Sequence, residues 1–144
     1  MSKDTSKEIV SRMRKEHDFA PVKFTVTGST YEGRQGVLQE MVDNQANTTI
    51  HLEYDPRNRY DSNAIKVMAS INGREPKQIG FVPAALASVL HRMAPRWTLP
   101  VSEWSMVSSG WYGRDKLMVN LSILFPRRLA TGILKALGNR SITQ

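Results

Sequence analysis

Nine consecutive residues, Asp55-Pro56-Arg57-Asn58-Arg59-Tyr60-Asp61-Ser62-Asn63, bring together two carboxylates, two guanidiniums, two amides and a phenol. A bare connector needs none of this chemistry. Asp55-Pro56 predicts the start of a turn, because proline presets φ for the first turn position and an aspartate ahead of it can accept from the turn amides. Asp61 and Asn63 can cap backbone N–H groups a few residues later. Between these turn formers, Arg57, Asn58, Arg59 and Tyr60 are expected to point to solvent.

These groups suit recognition better than catalysis. His17, His51 and His91 are scattered, and none stands at metal-ligand spacing from another histidine or from an acid on a shared face. The chain has no cysteine, which removes thiolate catalysis, disulfides and cysteine-bound zinc. Asp55 and Asp61 have turn capping as their default role. No catalytic residue, metal ligand or cofactor is therefore assigned, and the protein is not expected to be an enzyme. Single-stranded nucleic acid instead asks for aromatic faces on which bases stack and cations that follow the phosphates. Tyr31, Tyr60, Trp111 and Tyr112 fall in expected loops. Arg34, Arg57, Arg59, Arg114 and Lys116 are close to them in sequence.

The formal charge of +7 over 144 residues favours a polyanionic partner. Its distribution is uneven. Residues 1–16 hold five Lys/Arg against three acids, 17–109 hold nine against nine, and 110–144 hold six against one. A phosphate backbone is therefore expected to run toward Arg114, Lys116, Arg127, Arg128, Lys135 and Arg140, with a smaller share at Arg12, Arg14 and Lys15. The length fits one modest core. No Gly-x-x-x-x-Gly-Lys-Ser/Thr phosphate loop occurs, so any ATPase motor would be a separate subunit. The polar N-terminus has no apolar run long enough for a signal peptide or a membrane span, giving the expectation of a cytoplasmic protein with no membrane partner.

The elements that must hold these side chains can be read from periodicity. Ser6–Glu16 predicts a short amphipathic helix through Ile9, Val10 and Met13, ended by Pro21. Val22, Phe24 and Val26 alternate as a half-buried strand that exits at Gly28. Residues 31–36 read as a loop, and 37–42 as either a helical turn or a short strand. Ile50, Leu52 and Tyr54 make a second strand. Ile65, Val67, Ala69 and Ile71 make a third, closed by the turn dipeptide Asn72-Gly73. Residues 78–82 form a short strand running into Pro83, placed at the first position of a helix with Leu86, Val89, Leu90 and Met93 on one face. Trp97, Leu99, Val101, Trp104 and Met106 form another β segment, and Leu117, Val119, Leu121 and Ile123 the last strand. Pro126 opens a final helix that points Leu129, Ile133, Leu134 and Leu137 inward, with Gly138 as its C-cap. Trp97, Trp104, Phe24 and Phe125 are assigned to the core, and Phe81 stays undecided. The pattern is mainly β, α+β in class. Five or six short strands around one or two helices suit a small closed barrel, since closure removes exposed edges.

The run Asp55-Pro56-x-Asn58-x-Tyr60-Asp61-x-Asn63-Ala64-Ile65-x-Val67, with Phe24-Thr25-Val26-Thr27-Gly28 before it and Gln78-Ile79-Gly80-Phe81-Val82-Pro83 after it, resembles the HIRAN domain family over roughly residues 22–125. The resemblance implies a small OB-like or SH3-like β-barrel with one helix after strand four. It places this barrel at 21–125, between an N-terminal basic arm (1–20) and a C-terminal basic helix (126–144). It also implies binding of the free 3′-hydroxyl end of single-stranded DNA, as in the best-understood member. Carried over by position, Tyr31 and Tyr60 would cradle the terminal base or sugar. Asp61, with Asn58, would accept from the 3′-hydroxyl, and a terminal phosphate would be repelled by that carboxylate. Thr30, Phe81 and the Val82-Pro83-Ala84 stretch depart from polar contact residues of that member. Arg57 and Arg59, or Arg114 and Lys116 beside Trp111 and Tyr112, could restore positive charge. The expected function is an accessory to a separate repair, replication or recombination enzyme. The alternative is a protein-interaction module that docks on a partner helicase or nuclease, since Arg and Tyr also favour protein interfaces.

Overall fold

The computed structural model describes residues 8–9, 18–31, 33–108 and 116–138. The expected helix over Ser6–Glu16 lies outside them apart from Glu8 and Ile9, which are helical. Six strands and three longer helices follow in the order β1 (Phe19–Thr25), α1 (Arg34–Asp43), β2 (Thr48–Tyr54), β3 (Ile65–Ile71), β4 (Lys77–Phe81), α2 (Ala84–Met93), β5 (Val101–Ser108), β6 (Leu117–Pro126) and α3 (Arg127–Ala136). The strands form two antiparallel sheets, β1-β6-β5 and β2-β3-β4. The alternation read from sequence is the burial pattern found: Val22, Phe24, Ile65, Val67, Val119, Leu121 and Ile123 face one core shared by the sheets and helices. No described helix is long and apolar enough to cross a membrane.

The ambiguous 37–42 segment is helical, because Leu38 and Met41, three residues apart, both reach the core. Pro21 does not break the chain into a new element: it sits inside β1 opposite Leu124, on an edge strand where a missing N–H costs nothing in the ladder. Pro83 and Pro126 are each the residue before a helix, with extended ψ near 138°, so both helices begin one residue later than expected. Trp97 and Leu99 precede β5, which starts at Val101. Trp97 is still a core residue: its ring stacks on Phe19 and Phe125 and its Nε1–H donates to the Leu124 carbonyl at 2.7 Å.

The expected closed barrel is not found: among the described residues the six strands make two separate ladders. One narrow seam joins them. Val26 N–H donates to the Val119 carbonyl of one sheet, and Thr27 exchanges both backbone hydrogen bonds with Phe81 of the other, each at 2.9 Å. The seam stops there because β4 ends two residues before Pro83, which has no N–H to extend it. At the other seam β2 approaches β5 without a ladder. The join depends on Gly80. Val67 pairs with Gly80 and Met68 with Gln78, leaving buried Ile79 as the bulged residue. Gly80 takes φ +155°, and a Cβ there would stand 2.3 Å from the Thr27 carbonyl oxygen and 2.5 Å from Val26 Cγ1.

Gly80→Ala is therefore expected to cost about 3 kcal/mol, through backbone strain and displacement of the seam. Thermal unfolding should show this as a fall in Tm of roughly 10 °C. Gly36→Ala, in α1 where an added Cβ meets nothing within 4 Å, should raise stability by about 0.5–1 kcal/mol. Equal Tm values for the two variants would refute the role given to the seam.

Candidate nucleic-acid interface

The loop between β2 and β3 is organised by its own side chains. Asp55 N–H donates to the Ala64 carbonyl at 2.9 Å, closing the base, and Asn58 N–H donates to the Asp55 carbonyl at 3.0 Å, making the expected turn around Pro56. Asn58 then holds the centre. Its Nδ2 donates to Asp55 Oδ2, and its Oδ1 accepts from the N–H groups of Tyr60 and Asp61, all at 3.0 Å. Asp61 Oδ1 accepts from Asn63 N–H at 2.9 Å, and its Oδ2 has no hydrogen-bond partner among the described residues. Asn58 is thus half-buried inside the loop rather than turned to solvent as expected, with both ends of its amide engaged. With the backbone satisfied from within, the ring of Tyr60 has nothing to pack under and stands 88% exposed. Arg57 and Arg59 are exposed beside it, and the Arg59 guanidinium lies 5.6 Å from the Tyr60 ring centroid.

A second aromatic centre forms where the chain leaves β1. Gly28, at φ +74°, turns the backbone, and Tyr31 N–H returns to its carbonyl. Tyr31 is 66% exposed. Arg34, in the first turn of α1, comes back over this turn. Its Nη1 donates to the Gly28 carbonyl at 2.8 Å, and its Cζ lies 5.3 Å from the Tyr31 ring centroid and 5.7 Å from that of Phe81. A Cβ on Gly28 would meet Arg34 Nη1 at 3.0 Å and would be strained at φ +74°, so glycine favours the close lie of the guanidinium. Phe81, undecided from sequence, is half-buried and forms one wall of this centre. Arg34 stood in the sequence as one more cation near Tyr31. The i to i+3 spacing of Tyr31 and Arg34 was the available signal, but its meaning depends on Phe81, forty-seven residues further on.

Gln35 fixes what lies next to this centre. Its Nε2 donates to the carbonyls of Ser29 and Leu117, and its Oε1 accepts from Leu117 N–H, all at 2.9 Å. The start of β6 is thereby tied to the 28–31 turn. An open cleft of about 430 Å³ runs along residues 25–30, with Pro83 and Met118 opposite. The β2–β3 loop opens at the same end of its sheet, since Lys66 pairs with Phe81 and Val82 N–H donates to the Ile65 carbonyl. Tyr31, Phe81, Tyr60, Asp61, Arg57 and Arg59 therefore belong to one end of the molecule. Trp111, Tyr112 and Arg114 lie outside the described residues; Lys116, at the entry to β6, is exposed.

The C-terminal basic segments do not form one path. Arg127, Arg128 and Lys135 belong to α3, which follows β6, and ten strand residues put about 30 Å between Lys116 and the start of that helix at Arg127 and Arg128. Arg127 is also paired with Asp18 at 2.6 Å. His51 is on the surface with Glu53, 2.7 Å away. His91 packs edge-on against Tyr54, with ring centroids 5.0 Å apart, and burial pushes the Tyr54 hydroxyl above its usual value of 10.0. Among the described residues no three His, Cys, Asp or Glu side chains gather as metal binding would need.

Because three loop hydrogen bonds converge on one side chain, Asn58→Ala should destabilise by about 2 kcal/mol, read as a lowered Tm. Asn58→Asp keeps the acceptor for the two N–H groups but faces Asp55, and should fall between Asn58→Ala and the parent. An unchanged Tm for Asn58→Ala would remove Asn58 from the role of loop scaffold.

Comparison with known families matches the HIRAN domain over residues 20–106, from β1 through most of β5. No curated protein and no solved structure matches the chain. HIRAN domains are generally nucleic-acid-binding modules. The matched span contains the self-bonded 55–64 loop, the Thr27–Phe81 seam and the Tyr31 centre, and on that match the chain belongs to the HIRAN domain family.

Proposed function

We propose that this protein binds single-stranded DNA at free 3′-hydroxyl ends and presents those ends to a separate enzyme of DNA repair, replication or recombination. The observation that carries the reading is the pair of tyrosine rings, Tyr31 and Tyr60, each largely exposed and each accompanied by a guanidinium, on two loops at one end of a HIRAN domain. An exposed ring with a cation beside it offers a base a stacking face and its phosphate a counter-charge. Asp61 supports the end preference. Its Oδ1 is held by the Asn63 amide, which orients the carboxylate, and Oδ2 remains to accept from the 3′-hydroxyl of the terminal deoxyribose. A terminal phosphate would meet like charge at the same point. Asn58 contributes from inside the loop by fixing the backbone on which Tyr60 and Asp61 stand. Arg57 and Arg59, with Lys116 and Arg114, supply salt-dependent backbone attraction.

The test is fluorescence anisotropy with one short oligonucleotide carrying either a 3′-hydroxyl or a 3′-phosphate, across a salt series. The hydroxyl end is expected to bind more tightly, with affinity falling steeply as salt rises. Tyr60→Ala should weaken binding about tenfold or more, the value of one stacked base. Asp61→Asn retains the turn cap and removes the charge, so it should bring the two ends toward equal affinity. Equal binding of both ends by the parent would reduce the function to general single-strand binding. No binding at low salt would make docking on a partner helicase or nuclease the better reading.

A further inference from the structure

Arg34 is a half-buried guanidinium that has no carboxylate partner among the described residues. A cation withdrawn from water without a counter-ion is unfavourable unless its surroundings compensate. Here the compensation is partial and directional. One donor, Nη1, goes to the Gly28 carbonyl, and the guanidinium carbon lies over the rings of Tyr31 and Phe81, within 6 Å of both centroids. Neither contact neutralises the charge, and both restrict its rotation. The remaining donors, on Nη2 and Nε, have no protein acceptor among the described residues. A guanidinium held by a backbone carbonyl and two rings, with its other donors open, is preorganised for an anion that can accept two hydrogen bonds at once.

The surroundings indicate where that anion comes from. Gly28, which carries Arg34 on its carbonyl, also lines the cleft of about 430 Å³ formed by residues 25–30, Pro83 and Met118. No residue of that lining is charged. A base stacked on the exposed face of Tyr31 would have its own 5′ phosphate within reach of the Arg34 fork, with the rest of the strand free to follow the cleft. Arg34 lies against both rings, which leaves the exposed face of Tyr31 for a base.

On the reading proposed above, we infer that Arg34 binds the phosphodiester joining the last two nucleotides of the single strand and sets the register in which the terminal base meets Tyr31. Arg34 is then a positioning residue that places the 3′ end relative to Asp61. A lysine could supply charge but not the planar fork or the two ring contacts.

The test is a double-mutant cycle between protein and DNA. Parent, Arg34→Gln and Arg34→Lys are titrated by anisotropy with a 3′-hydroxyl oligonucleotide, and with versions carrying one neutral methylphosphonate at each of the last three linkages in turn. The expected result is that Arg34→Gln weakens binding of the unmodified strand about tenfold, as for loss of one charge-assisted contact. The magnitude of its salt slope should fall by about 0.7, the value for one phosphate on a single strand. The methylphosphonate between the last two nucleotides should weaken the parent by a similar factor and leave Arg34→Gln unaffected. Arg34→Lys should recover less than half of the loss on a logarithmic scale. Penalties that add independently at every linkage, with an unchanged salt slope and a lowered Tm, would overturn the inference and make Arg34 a structural staple of the 28–31 turn. A coupled cycle in a protein that binds 3′-hydroxyl and 3′-phosphate ends equally would sustain the Arg34 contact while end recognition fails. If the parent binds none of the oligonucleotides, both readings are overturned together.

Discussion

The contact between the backbone of Val26-Thr27 and that of Gly80-Phe81 is the constraint on which the rest of the molecule depends. Through it the two three-stranded sheets share one core, and through it the turn after β1 is brought against the end of β4. The approach is possible because Gly80 has no side chain where the Thr27 carbonyl lies, and because the bulge at Ile79 lets β4 leave its ladder with β3 at that point. Its consequence is local as well as global. Phe81 cannot face Arg34 and Tyr31 unless Thr27 and Phe81 are paired, so the aromatic centre at the mouth of the cleft is a by-product of how the sheets are joined.

Two different means keep aromatic rings on the outside of this protein. In the 55–64 loop, hydrogen bonds from Asn58, Asp55 and Asp61 satisfy the backbone without recruiting any apolar surface, so Tyr60 has no pocket to occupy. At the 28–31 turn, Arg34 and Gln35 hold the backbone carbonyls of Gly28 and Ser29, and Tyr31 is left over the guanidinium. In both places polar side chains do the positioning and leave a ring face and cationic donors at the surface. Exposed rings beside cations are a combination that nucleic-acid binding uses. It agrees with membership of the HIRAN domain family.

The charge asymmetry is also reshaped by the fold. The six cations of the last 35 residues look like one basic tail in the sequence. Among the described residues, the ten-residue strand β6 separates Lys116 from Arg127 and Arg128, and Asp18 pairs with Arg127. The cations that belong with the exposed tyrosines come instead from α1 and the β2–β3 loop, segments whose net charge is close to balanced.

Much of the architecture was legible from local chemistry. Period-two burial identified β1, β2, β3 and β6, Asn72-Gly73 identified the turn after β3, and the apolar stripe from Leu86 to Met93 identified α2, because these signals depend only on neighbours a few residues apart. The 55–63 loop was recognisable for the same reason: Asp55, Asn58, Asp61 and Asn63 bond within their own segment, although the inward turn of Asn58 required knowing which carboxylate and amides would be near it. The barrel expectation went further than strand periodicity can support. Periodicity says that strands exist and which face is buried; whether the sheet closes depends on which edges meet, and here a five-residue β4 running toward Pro83 limits the seam to one bridge. The grouping of Tyr31, Arg34 and Phe81, and the division of the basic residues along β6, likewise belonged to the tertiary structure alone, since each joins residues whose separation in sequence carries no information about their separation in space.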